Sequence, residues 1–419
     1  MSEMRDLKEP SQPLSDVRVI DLTDEFGAYA GKLLADFGAD VVRVCADGED
    51  PIATIAPLVP TVHGEVSTFE RFVNTGKRIW DWRPETPGDL DRFADLVRSA
   101  DVVIESSTLQ LERYWSTAEV AALAAHAVRV VITPFGLADD PVGNGGDGST
   151  GAEPAGPAVD DLLVMAEGGL LHLGGYEDLG PVVAYGGQSR FAASIFGATA
   201  AIVGLMARDA EGGRGAVYDV SAQECIAQAL EDSAATYSLT GQVRDRLGER
   251  PREAGTGVFP AADGYVSMVA GRLGTAKAWT ALVQWLADEG APGVAILQRP
   301  EWGEFSFRQS PAAIDEFTRI FTEFSTARTK AELYEHAQAR LIALSPVSTV
   351  TDLMSNPQLR HRDFFVTVDD PALGRPIGYP RPPFKMSATP PRAPRPAEAP
   401  RPTRDDLVAG TPGERRNAS

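Results

Sequence analysis

Two stretches place cations where an anion could be held. The first is the loop Asn74-Thr75-Gly76-Lys77-Arg78, with two adjacent cations just before an apolar segment. At the edge of an α/β sheet such a loop can hold a phosphate through backbone N–H groups and Lys77 or Arg78. A solvated turn explains the same composition and is the plainer reading. The second is Arg43, inside the otherwise apolar run DVVRV at 40–44. A guanidinium there must pair with a carboxylate or bind an anion, and the residues alone leave those two readings level. The run GGYEDLGPVVAYGGQSR carries two glycine pairs. Glycine lets backbone approach a ligand closely, but tight turns account for both pairs.

Other familiar chemistry is absent from the sequence. LTDEFGAYAG stands where a GxGxxG would follow the first strand, and no GxxxxGK[ST], HExxH or GxSxG occurs. His63, His126, His172, His336 and His361 are scattered without metal-ligand spacing, so no metal is expected. With only Cys45 and Cys225, two buried or half-buried thiols are expected rather than a disulfide framework. The formal charge of −20 argues against nucleic-acid binding, while a local basic pocket for a polyphosphate stays compatible with it. No long apolar run or signal-peptide core is evident, and a soluble, cytoplasmic protein off the membrane is expected.

The elements that must position these residues read as α/β. VRVIDLT (17–23) and DVVRV flank the helical pattern AYAGKLLADFGA, giving a parallel strand–helix–strand unit. The alternation continues with the strand KRIWDW, the helix PGDLDRFADLVRSA, the strand DVVIES, the helix AEVAALAAHA and the strand VRVVITPFG. Residues 137–158, rich in Gly, Asp and Pro, predict a surface loop. Helices follow at 160–171 and 189–209, then a strand in GRGAVYDVS and one helix through SAQECIAQALEDSAATYSL. Polar residues at 240–254 predict a crossover to a second domain with a strand at GYVSMVA and helices near 275–288, 311–325 and 329–341. Strand-like segments around 364–387 precede an extended tail of Pro and Arg. With 419 residues the chain is long enough for two domains, or for one large domain carrying an insertion. The division is 1–240 for a large domain, 241–345 for a small one and 346–419 for a return to the large domain plus the tail.

Taken in order, these segments resemble the class III CoA-transferases, the group of formyl-CoA transferase and α-methylacyl-CoA racemase. The resemblance rests on LLADFGADVVRV, NTGKR, DVVIES, LERY, TPFG, GRGAVYDVS, ADGYV, SPV, NPQL and a closing PxxGR…PPFKxS. It implies a Rossmann-like large domain with a parallel sheet, a smaller α+β domain, and two subunits interlocked like chain links. It also implies coenzyme A or acyl-CoA as substrate, with Arg43, Asn74, Lys77, Arg78 and Arg113 near its phosphates and a carboxylic acid as the second substrate.

In that family an Asp attacks the thioester, forming a mixed anhydride, because a carboxylate is both nucleophile and leaving group. The matching stretch here is GGQSRFAASIFGA, which puts Arg190 at the Asp position. An Arg has no acceptor lone pair and cannot take that role. The family's racemases add a His, matched here by Asp160. Replacement carboxylates to consider are Asp160, Asp161, Asp178 and Glu224. The alternative is a paralogous subunit carrying the Asp, as in the benzylsuccinate CoA-transferases, one of whose subunits GGQ…AAS, DVSAQE, AGTGVFPAADGYVSMVAGR and KAELYEHAQAR resemble. The chain is therefore expected to form a homodimer or a heteromer that moves CoA between carboxylic acids. A self-sufficient transferase or a non-catalytic acyl-CoA-binding protein are the other readings.

Overall fold

Val19 and Ile20 are neighbours in sequence yet belong to different cores, as are Val41 and Val42. Side chains alternate across a strand, so a sheet covered on both faces needs apolar residues at every position. That requirement is met in a six-stranded sheet, seen in a computed structural model that describes residues 12–61, 64–106, 110–137, 159–230, 233–246, 248, 251–272, 276–371 and 373–397. The chain divides into two packed units. One holds residues 1–172, 182–244 and 360–419, and the other holds 173–181 and 245–359.

In the first unit the strands run β1 (Arg18–Leu22), β2 (Asp40–Ala46), a small hairpin β3 (Leu58–Thr61) and β4 (Gly64–Ser67), then β5 (Arg78–Trp82), β6 (Val102–Ser106), β7 (Val128–Thr133) and β8 (Val217–Ser221). The main sheet is ordered β5-β2-β1-β6-β7-β8, with every neighbouring pair parallel. Counted along its own strands that order is 3-2-1-4-5-6. The order reverses between β1 and β6, where α/β sheets bind ligands outside the carboxyl ends of their strands.

Helices α1 (Ala28–Asp36), α2 (Thr68–Val73), α3 (Asp89–Arg98) and α4 (Thr117–Leu123) follow in chain order. After them come α5 (Asp161–Glu167), α6 (Leu170–Leu173), α7 (Gln188–Ala210), α8 (Ala222–Gln228) and α9 (Ser233–Thr240). One face of the sheet packs with α1, α5, α7 and α8, the other with α3 and α4. Each fully buried Val or Ile contributes roughly 1.5–3 kcal/mol, so the two faces supply most of this unit's cohesion. α7 lies close on the sheet because a Cβ at Gly197 would stand 2.4 Å from Ile132, and one at Gly204 2.5 Å from Val128.

The expected single helix after β8 is two, α8 and α9, and the expected helix at 160–171 is also divided. The loop expected at 137–158 and the end of the tail lie almost wholly outside the described residues. One correction concerns apolar length. α7 has 23 residues and a mean hydropathy of 1.6, long and apolar enough to cross a membrane. One face of it packs on the sheet: Ser189, Ala193, Ser194, Ala201 and Leu205 are buried along it, and Arg208 pairs with Asp101 at 3.1 Å.

The second unit is organised around an antiparallel sheet β11-β10-β9, made by β9 (Thr256–Ala261), β10 (Gly264–Val269) and β11 (Ala343–Pro346). Its helices include α10 (Ala276–Asp288), the short α11 (Val294–Leu297) and α12 (Phe305–Arg308), then α13 (Pro311–Ser325) and α14 (Lys330–Gln338). Trp279, Trp285, Phe259, Phe317 and Phe321 fill the core. Only β10 among these strands was expected.

Back in the first unit, β12 (Phe365–Asp370) and β13 (Arg375–Pro380) form a hairpin. Arg71 grips the buried Asp370 with two 3.0 Å hydrogen bonds. Beyond the hairpin the chain runs back to α1, where Arg392 N–H donates to Asp36 O at 2.8 Å and Phe384 stacks on Phe37.

Candidate active site at the carboxyl ends of the sheet

β1 ends in Leu22-Thr23, and the chain turns through Asp24 and Glu25 into α1 at the point where strand order reverses. Ser106, at the end of β6, accepts a 2.9 Å hydrogen bond from Asp24 N–H and so ties the two strand ends together. α7 starts beside them. Gly187 takes the left-handed conformation (φ 65°) as the residue before the helix and offers no side-chain cap. Asp161 supplies one instead, accepting from Ser189 N–H (2.8 Å) and Ser189 Oγ (2.6 Å).

That cap brings Arg190 into the crevice, where its Nη2 meets Glu25 Oε2 at 2.5 Å and its guanidinium lies 5.9 Å from the Phe69 ring. Arg190 Nε is buried without a hydrogen-bond partner among the described residues. Burial pushes the Glu25 carboxyl above its usual range. Arg190 opposes the shift, while Asp24, Asp160 and Asp161 add to it. Burial likewise raises Asp24. Three further carboxylates, Asp24, Asp160 and Asp161, thus act on Glu25 and its guanidinium partner. Carboxylates can accept protons or attack an electrophile, whereas Arg190 can only donate and attract anions.

The predicted site residues separate into three places. Arg43, Asn74 and Lys77 are at most 1% exposed and join one buried network. Asp21 lies at its centre: Oδ1 accepts from Arg43 Nη1 (3.1 Å), and Oδ2 accepts from Lys77 Nζ (2.7 Å). Asp50 accepts from Arg43 Nε and Nη2, both at 2.7 Å, and from Asn74 at 2.9 Å. Lys77 also donates to Ala28 O and Asn74 Oδ1. Arg43 is therefore an ion pair, the structural one of its two readings.

Residues 74–77 are not a solvated turn, and their backbone N–H groups are not free for a phosphate. The N–H groups of residues 74–77 all donate within the protein. Burial lowers Lys77 to about 8 despite Asp21. Asp50 falls to about 2; burial raises it, but Arg43 and its hydrogen bonds prevail.

Arg78 lies at the opposite, amino edge of the sheet, where it and Arg18 both bind Asp40. Arg113 is exposed in the turn after β6, on the carboxyl side. Of the replacement carboxylates, Asp160 and Asp161 stand beside Arg190 and Glu25. Both are engaged as caps, Asp160 on Leu163 N–H at 3.1 Å. Glu224 is exposed in the first turn of α8, and Asp178 belongs to the second unit. Glu25 and Asp24 were missed from sequence, although LTDEFG had been noted as the stretch replacing a glycine motif. No group of His, Cys, Asp and Glu fit to hold a metal ion occurs among the described residues.

A doubly wound parallel sheet with carboxylates and Arg190 gathered where the strand order reverses has the layout of α/β proteins that bind ligands at that point. The comparisons make the class specific: residues 14–405 match CoA-transferase family III, and the chain belongs to that family. It is 33% identical over 383 residues to succinyl-CoA:(R)-benzylsuccinate CoA-transferase subunit BbsE of Thauera aromatica, covering 90% of this chain and 88% of that one. It is 28% identical to succinyl-CoA:mesaconate CoA-transferase of Haloarcula marismortui, covering 90% and 91%. A CAIB/BAIF family protein from Brucella suis has the same fold, with a TM-score of 0.77 at 22% identity over 93% of this chain and 96% of that one.

Proposed function

We propose that the chain is a subunit of a class III CoA-transferase, moving CoA between carboxylic acids beside a related subunit that carries the nucleophilic Asp. The observation that carries this reading is Arg190, in the first turn of α7 and paired with Glu25, at the position the family resemblance assigns to that Asp. The relative named as a subunit of a benzylsuccinate transferase supports the same arrangement. Relatives that act on succinyl-CoA with benzylsuccinate or mesaconate favour dicarboxylic acids as substrates.

The strand order supports a Rossmann-like large domain, and the two packed units support its division from a small one. Arg113 is the member of the proposed phosphate set that faces solvent on the carboxyl side. Arg43, Asn74 and Lys77 shape the loop beneath. An interface is supported by α7, which exposes Ile195, Phe196, Val203 and Met206, the last 69% exposed. Contiguous apolar surface of that kind marks an association site, for a homodimer or a heteromer with a paralogue. The burial of α7's other face supports a soluble, cytoplasmic protein.

A second reading, a self-sufficient transferase, is favoured by one observation, the raised Glu25 carboxyl held in the crevice. The two separate on incubation with succinyl-CoA and hydroxylamine, followed by peptide mass spectrometry. The chain alone is expected to remain unmodified. With a family member bearing Asp in the first turn of α7, the hydroxamate should form on that partner. A hydroxamate on Glu25 of the isolated chain would replace the first reading with the second.

A further inference from the structure

A second charged concavity lies where the chain leaves β13, in the first unit and at the amino edge of the sheet. Arg362, Asp363 and Phe364 on one side and Arg381, Phe384, Lys385 and Arg392 on the other line a cleft of about 250 Å³. Its charge is out of balance for a chain of net −20, since among the described residues four cations face one carboxylate. Asp363 stands 3.9 Å from Lys385 Nζ, beyond hydrogen-bond length.

The cations are poorly compensated elsewhere. Arg362 Nη2 donates to the carbonyl of Pro383 at 3.1 Å, a neutral acceptor. Arg381 Nε is buried with no hydrogen-bond partner among the described residues, a state that costs free energy. The carboxylate nearest in charge to Arg392 is Asp40, which Arg18 and Arg78 already hold. Burial, then the neighbouring Arg395, lowers the proton affinity of Arg392. Phe384 is fixed as a wall by its stacking on Phe37, with centroids 5.3 Å apart and planes at 9°.

Guanidinium groups in a fixed fork suit phosphate oxygens, and the aromatic walls suit a flat substituent. The volume is below the ~300–1,000 Å³ of sites for drug-sized ligands, which excludes a whole coenzyme. We propose that this cleft binds a small phosphate monoester, its phosphate held by Arg362, Arg381, Lys385 and Arg392 and its organic group against Phe364 and Phe384. This site is independent of the crevice at Arg190 and of the transferase reading.

Isothermal titration of the full chain with phenyl phosphate and with inorganic phosphate, at constant ionic strength, tests it. Phenyl phosphate should bind more tightly than inorganic phosphate. Arg381→Gln should weaken phenyl phosphate at least about tenfold, the loss of a charged hydrogen bond. Lys385→Met, at a 58% exposed side chain, should weaken it about two- to fivefold and keeps the test open should Arg381→Gln not fold. Arg98→Gln, at a 56% exposed side chain on α3, should leave binding unchanged. Absence of binding at millimolar anion, equal affinity in wild type and Lys385→Met, or loss of binding in Arg98→Gln would each overturn the proposal.

Discussion

Replacing Asp21 by Asn exchanges one oxygen for an NH2 on a fully buried side chain and should cost more than removing it together with a partner. Four donors converge on Asp21: Arg43 Nη1, Thr23 N–H and Thr23 Oγ on one oxygen, Lys77 Nζ on the other. Whichever way an amide is turned, its NH2 confronts donors. Its neutrality also leaves Arg43 and Lys77 as an excess of buried positive charge, with Asp50 the one carboxylate still in contact. Breaking a buried pair by deleting one partner costs about 3–5 kcal/mol, against about 5–15 kcal/mol for a whole domain. Both cysteines, Cys45 and Cys225, are buried in this unit, so urea-dependent thiol labelling reports its unfolding. Asp21→Asn is expected to lower its stability by about 3–5 kcal/mol. The double change Asp21→Leu with Lys77→Met leaves Arg43 on Asp50 and should cost less. A loss below about 1 kcal/mol for Asp21→Asn, or a double variant worse than the single, would refute the view that this carboxylate balances the network.

In the second unit, Gly271→Ala would bring a Cβ within 1.8 Å of Ala254 O. The backbone must shift, at about 1–3 kcal/mol or more, and the urea midpoint read by fluorescence of Trp279, Trp285 and Trp302 should fall. Lys77 gives a pH signature. With its value lowered from 10.5 to about 8 in the folded chain, the unfolded chain binds the extra proton between those values. Its contribution is full above 10.5 and lost as pH falls through about 8. The stability of wild type minus that of Lys77→Met should therefore rise from pH 8 to 10, and a flat difference would refute the assignment. Met206→Glu on the exposed face of α7 should weaken subunit association in sedimentation velocity, with an unchanged circular dichroism spectrum as control.

The strands of the main sheet were legible because burial on both faces writes continuous Val and Ile runs, as in β2 and β7. β3 and β11 were not, since LVPT and ALSP are short, contain Pro and are half exposed, which removes both periodicity and length. Arg43 and Lys77 stood out by type alone, but their role hinged on partners. Asp21 lies opposite Arg43 in the register of β1 and β2, a pairing that composition cannot reveal until the two strands are set side by side. An acidic residue in one buried strand and a basic one in its neighbour, each breaking an apolar run, was the signal available.

Glu25 escaped for a different reason. The turn after β1 was read for the glycines it lacked rather than for the carboxylates it held, and the pairing with Arg190 spans two elements far apart in sequence. The residues that fix the crevice are distinct from the residue that decides its chemistry. Asp21, Arg43 and Lys77 set the loops, Asp161 caps α7, and Gly197 and Gly204 seat α7 on the sheet, none of which depends on the side chain at 190. On the reading proposed above, in which position 190 matches the family's Asp, the same fold would hold an acceptor or a donor there, and the charge at that position would decide whether the chain forms an acyl-enzyme by itself.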